Sequence, residues 1–272
     1  MENYSPLPLL RSGQTIAAFR ANQEGVPVVL QHGLGADPLQ TVNVVPLNGT
    51  HCHYLMHCRG HGASEPGPVD QFSITTFADD LIAFIDQHIQ APCVIGGISM
   101  GAAISLRVAI KRPDLVSALI LARPAWFTAP APDNLKPLIE VGNLLATHDV
   151  AEAKKLFLAS PSASILHQSA PGNLTSLLNM FDRAPQAVTA ELLRRIANGG
   201  PDVTVAEIAS IKVPTLIIAN DQDFVHPVLL ADELAATIPG AIRVNITPKT
   251  VDEGAYVSDF SGALDQFLKD HS

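Results

Sequence analysis

The chain has 272 residues, 47% of them hydrophobic and 16% charged, enough apolar side chain to bury one large α/β core or two smaller ones and too much for a disordered protein. A net charge of −9 without any block of lysine or arginine excludes nucleic acid and anionic membrane as expected partners. No apolar run nears the roughly 20 residues that span a bilayer, and the first residues lack the basic-then-apolar layout of a secretory signal.

Short apolar runs alternate with helical patterns along the chain. Strands are expected at residues 26–31, 53–57, 93–96, 119–122, 215–219 and 243–246. Runs apolar on both faces, with helices between them, predict a mostly parallel sheet covered on both sides. Thr76 to Asp79 has the S/T-x-x-D/E form of a helix start, and Phe77, Leu81, Phe84, Ile85 and Ile89 then follow at helical spacing. Residues 130–210 break the alternation and read as helices at 135–147, 150–158, 174–181 and 187–198. The expected organisation is a core of residues 1–129 and 211–272, with 130–210 inserted as an all-helical cap over the C-terminal ends of the strands. Ligands of open α/β sheets bind at that edge. Three cysteines, Cys52, Cys58 and Cys93, form no disulfide framework and point to a reducing, cytoplasmic address.

Gly97-Ile98-Ser99-Met100-Gly101 sits between the strand at 93–96 and an alanine-rich helical stretch, 102–111. Strand, tight turn and helix is the context in which G-x-S-x-G presents a nucleophilic serine. The turn is so sharp that side chains two residues to either side of Ser99 would collide, and glycine removes the clash. Arg123 and Trp126 follow the strand at 119–122, on the ligand-facing edge. The arginine's planar fork suits a substrate carboxylate, and the tryptophan suits a pocket wall. The cluster His51, Cys52, His53, His57 and Cys58 cannot converge on one ion, because strand alternation sends His53 and His57 to one face and the thiols to the other. No metal site and no organic cofactor is expected.

His32-Gly33-Leu34-Gly35, Arg59 to Ser64, Gly97 to Gly101, and Pro214 to Ile218 followed by Asp221-Gln222-Asp223 occur in the order that resembles the α/β-hydrolase family. The resemblance covers nearly the whole chain and implies an α/β-hydrolase fold. It implies Ser99 as nucleophile, the backbone N–H groups of Leu34 and Met100 as oxyanion hole, and Asp223 as the triad acid. Asp223 keeps the family's spacing to Pro227, with Asn220 in place of the usual glycine. His32 is expected to brace the loop by a hydrogen bond and to border the substrate beside Arg123 and Trp126.

The family's catalytic histidine belongs near Val251, and no histidine lies between His226 and His271. A serine hydroxyl needs a base within reach. His226, three residues past Asp223 at the edge that presents Ser99, is the substitute base; Lys249 is the weaker alternative, for a Ser–Lys pair. The expected activity is hydrolysis of a small, acidic or strongly hydrogen-bonding ester, lactone or related acyl compound. Two other functions share the scaffold: a lyase or C–C bond-cleaving enzyme, and a non-catalytic ligand-binding or signalling protein with an unreactive Ser99.

Overall fold

A computed structural model of the chain describes residues 3–45 and 50–271. Four short strands, β1 (Tyr4–Pro6), β2 (Leu9–Arg11), β3 (Gln14–Ile16) and β4 (Ala18–Ala21), precede β5 (Val26–Gln31) and β6 (His51–Met56). Helix α1 (Ile74–Phe84), strand β7 (Cys93–Ile98), helix α2 (Met100–Lys111) and strand β8 (Val116–Ala122) follow. Next come α3 (Lys136–Thr147), α4 (Val150–Leu158), α5 (Pro161–Ser169), α6 (Pro171–Leu178), α7 (Gln186–Asn198) and α8 (Val205–Ala209), with no strand among them. The chain closes with β9 (Thr215–Ala219), α9 (Val228–Thr237), β10 (Ile242–Asn245) and α10 (Glu253–His271).

Eight strands form one sheet in the order β1-β4-β6-β5-β7-β8-β9-β10. The six from β6 to β10 run parallel, and β4 and β1 add on antiparallel at one edge. β2 and β3 pair apart from it as a hairpin. Side chains alternate between two apolar layers. Val29, Ile95, Leu119 and Ile217 pack with α1 and α2, and Val28, Val94, Ile120 and Ile218 pack with Phe260 and Leu264 of α10. Both faces are therefore buried, which is why these strands read as unbroken apolar runs.

From β5 the chain moves to β6 on one side, then returns past β5 to β7 on the other. Loops leaving the C-terminal ends of β5 and β7 part at this switch point and leave a crevice between them. His32 to Asp37 form one wall, and Ser99 stands at the other.

Several expectations are corrected. Helix α1 starts earlier than Thr76: Ser73 is its N-cap and accepts the Thr76 N–H at 3.0 Å. The strands β1 to β4, three or four residues each, are too short to give a period, and α5 and α8 were not anticipated. Helix α5 does carry a start signal, Pro161 in its first turn behind a Ser160 cap.

The glycine argument at the β7–α2 turn holds in space. A Cβ on Gly97 would lie within 3.0 Å of the Gly101 backbone, and one on Gly101 within 3.0 Å of the Gln31 carbonyl. Neither neighbour is a side chain that can swing away. Gly101→Ala should therefore cost about 3 kcal/mol, the upper range for overpacking, and lower the thermal midpoint. An unchanged midpoint would show that β5 and α2 can separate without penalty.

Candidate active site

Ser99 caps α2 with φ 58° and ψ −110°, a left-handed conformation rare for a side-chain-bearing residue. Its N–H donates to the Ala122 carbonyl at 2.9 Å, which anchors the turn to β8. The Met100 N–H opens α2, where the first helical donors have no acceptor within the helix. Opposite, Gly33 donates to Gln40 Oε1 at 3.0 Å and Gly35 to His61 Nε2 at 2.9 Å. Between these two tethers, the Leu34 N–H has no acceptor among the described residues. A Cβ built on Gly33 would lie 3.7 Å from the Ser99 Cβ, so this loop stands against the serine.

His32 is wholly buried. Its Nδ1 lies 2.9 Å from the Gly33 carbonyl, and Nε2 accepts the Cys58 N–H at 3.0 Å. Burial lowers its pKa to about 4, so the ring is neutral, carries its proton on Nδ1, and fixes the loop. It is absent from the cavity wall, as is Trp126, which is 2% exposed and donates Nε1–H to the Gly199 carbonyl at 3.0 Å. Both therefore hold the frame, which corrects their expected contact with substrate.

The loop after β9 brings the acid. Asp223 Oδ1 accepts from His226 Nδ1 at 2.8 Å and Asn173 Nδ2 at 2.9 Å. Its Oδ2 accepts from Arg123 Nε at 2.8 Å and Nη2 at 2.6 Å. Burial opposes its charge, but His226, Arg123 and the Asn173 amide more than offset that and hold the carboxyl well below the usual carboxylate range. Asp221 bonds only the exposed Asn245 amide at 3.2 Å and remains a surface carboxylate.

Burial pushes the His226 pKa below 6.5, with Asp223 acting upward and Arg123 downward. The ring is neutral at pH 7. With an ionised carboxylate 2.8 Å away, Nδ1 is assigned the proton, which leaves a lone pair on Nε2. That Nε2 is buried without a hydrogen-bond partner among the described residues.

Arg123 is committed to this network. It ends β8 at φ 45° with its N–H on the Ile218 carbonyl at 2.7 Å, and its Nη2 also lies 3.1 Å from His226 Nδ1. Its fork is taken by Asp223, so the expected pairing with a substrate carboxylate is replaced by an internal one.

A cavity of about 360 Å³ joins these groups, lined by Leu34, Ser99, Arg123 and His226 from the sheet's edge and by Leu138, Asn173, Leu177 and Met180 from the helices between β8 and β9. Lys249 is not on it. That lysine pairs with Glu253 at 2.9 Å on the exposed β10–α10 loop and borders a neighbouring cavity of about 300 Å³. His148 and His167 are exposed. No cluster that could hold a metal ion exists among the described residues.

Sequence reasoning missed Asn173. Its side chain is buried on α6, donating to Asp223 and accepting the N–H groups of Phe224 at 2.7 Å and Val225 at 3.1 Å. No motif marks it; its only signal is an amide in the first turn of a short amphipathic helix.

Residues 27–250 match the family model described as "Serine aminopeptidase, S33". The chain belongs to this family of α/β-hydrolases. The hydrolase is 28% identical over 242 residues to the "Putative carbamate hydrolase RutD" of Pseudomonas syringae pv. syringae (strain B728a), covering 87% of this chain and 89% of that one. Its fold is that of a thermophilic esterase from Thermogutta terrifontis, with TM-score 0.76, 19% identity, and 98% and 100% of the two chains covered. The enol-lactonase from Burkholderia xenovorans LB400 superimposes with TM-score 0.73 at 20% identity, covering 97% and 100%. No helix of this hydrolase, among the described residues, is long and apolar enough to cross a membrane.

Proposed function

We propose that this hydrolase cleaves a small ester, lactone or related acyl compound through an acyl-enzyme on Ser99, with His226 as base and Asp223 as its orienting acid. The observation that carries the reading is His226: Nδ1 held by Asp223, Nε2 unpartnered, and the ring on the same cavity as Ser99. That is the arrangement of a nucleophile, a base and a group that orients the base. Among the similar proteins are a "Putative carbamate hydrolase", an esterase and an enol-lactonase, and a carbamate, ester or lactone presents an acyl carbon to such a serine.

Ser99 Oγ adds to the substrate carbonyl as its proton passes to His226 Nε2. The Leu34 and Met100 N–H groups receive the oxyanion, each such donor being worth about 10²–10³ in rate. Collapse breaks the bond to the leaving group, which takes the proton from His226. Water then adds to the acyl-enzyme as its proton passes to the same nitrogen, and collapse breaks the bond to Ser99 Oγ, which takes that proton back as the acid leaves. Ser99 Oγ has no hydrogen bond to a described residue, and catalytic bonds of this kind tighten in the substrate complex. Residues 130–210 act as the cap: Leu138, Leu177 and Met180 give the acyl group an apolar wall. Three buried free thiols suit a reducing cytoplasm.

The test is labelling with an organophosphonate probe, with mass spectrometry locating the adduct. An adduct on Ser99 is expected. A folded protein that takes no label, or takes it elsewhere, supports the non-catalytic scaffold instead.

Arg123→Leu separates the two roles of the arginine. Removing a cation 3.1 Å from the imidazole favours protonated His226, so the acid limb of kcat/KM should move to higher pH, while kcat falls. A rise in KM alone, with the limb unmoved, would restore Arg123 to the substrate.

A further inference from the structure

Arg183 follows the 3-10 turn at Asn179–Asp182. Its Nη1 donates to the Gly35 carbonyl at 2.8 Å and Nη2 to the Gly60 carbonyl at 3.0 Å, strapping the helical region to the loop that carries Leu34. Those bonds use two of its five N–H groups. Nε is buried without a partner, and no carboxylate among the described residues pairs with the guanidinium. Burial alone acts on its pKa, and lowers it.

His57 lies on the same cleft and is 8% exposed. Its Nδ1 accepts the Ala63 N–H at 3.1 Å, and burial lowers its pKa to about 4. The neutral ring must then carry its proton on Nε2, and that donor too is buried without an acceptor. The cleft has a volume of about 490 Å³, is walled by Phe19 and Leu39, and shares Gly35 to Asp37 with the catalytic cavity.

Buried donors in folded proteins have acceptors, and a half-buried guanidinium without a carboxylate partner is free to bind an anion. Arg183 and His57, each carrying a buried donor without a partner, line one cleft, and Arg183 has no carboxylate partner among the described residues. We propose that this cleft binds a small oxyanion, a carboxylate or phosphate, held by Arg183 and His57. Asp37, the acidic side chain on the cleft, opposes such a ligand; its carboxylate is occupied in capping the next turn, accepting the Leu39 N–H at 2.8 Å. A bound oxyanion would bear on Arg183, and through it on the Gly35 carbonyl beside the Leu34 N–H. The oxyanion comes either from a separate small molecule or from the anionic end of the substrate.

Titration calorimetry with inorganic phosphate and with glutarate, on the Ser99→Ala protein, reads binding without any dependence on turnover. Saturable binding in the millimolar range is expected. Arg183→Gln should weaken it at least ~10-fold, the loss of a hydrogen bond to a charged group. Asp37→Asn, an exposed change that keeps the cap, should tighten it about threefold. The proposal is overturned by no saturation below ~50 mM, or by equal affinity in a folded Arg183→Gln protein. It is overturned equally if Asp37→Asn lowers the thermal midpoint and leaves binding unchanged, which would make Asp37 the guanidinium's own counter-ion. With p-nitrophenyl acetate as substrate, competitive inhibition by the anion assigns the cleft to the substrate's end. A saturating change in kcat assigns it to a separate effector.

Discussion

Ser99→Ala should remove turnover, with kcat falling by at least ~10⁴-fold, about 5 kcal/mol of transition-state stabilisation. The backbone at this position is already held at φ 58° by the Gly97 and Gly101 contacts and the bond to Ala122, so deleting one oxygen leaves the turn intact. Substrate binding should survive, because the cavity wall comes mostly from other residues, and circular dichroism should be unchanged. Labelling by the phosphonate should disappear with the activity. A variant that keeps more than about a hundredth of wild-type kcat would remove Ser99 from the chemistry.

His226→Ala should lower kcat by at least ~10²-fold, the lower end for loss of a general base. The base works in its neutral form. Burial sets its pKa below 6.5, so wild-type kcat/KM should be flat through neutrality and fall as pH drops through that lowered value. In His226→Ala this acid limb should vanish, while Asp223 stays anchored by Arg123 and Asn173. Lys249→Ala is the control: its side chain is exposed and paired with Glu253, away from the cavity of Ser99, so little change is expected. Near-normal kcat in His226→Ala, or a collapse in Lys249→Ala, would reverse the assignment.

Strands buried on both faces were the most legible part of the chain. β5 and β9 begin and end where their apolar runs do, because no solvent-facing position interrupts them. β1 to β4 escaped notice because a three-residue strand completes barely one alternation. In the candidate site, the tight turn at Ser99 was readable because the glycines around it are a local steric necessity. The adjacency of Asp223 and His226 was readable because one loop carries both. Arg123 was placed on the right edge with the wrong partner. Residue type tells that an arginine seeks an anion, but the carboxylate that fills its fork lies 100 residues away in sequence. Trp126 and His32 failed likewise: each has a polar nitrogen whose backbone acceptor or donor only the fold supplies. Asn173 was invisible because an amide on an amphipathic helix reads as solvent-facing.

That amide also works as an interlock. Asn173 rides on α6, yet one end of its side chain holds Asp223 and the other holds the next two N–H groups of the acid loop. Any movement of α6 away from the acid loop breaks three hydrogen bonds, one at the carboxylate and two at the following N–H groups, and frees the loop that carries His226. Through Asn173, α6 and the acid loop are held together as one unit.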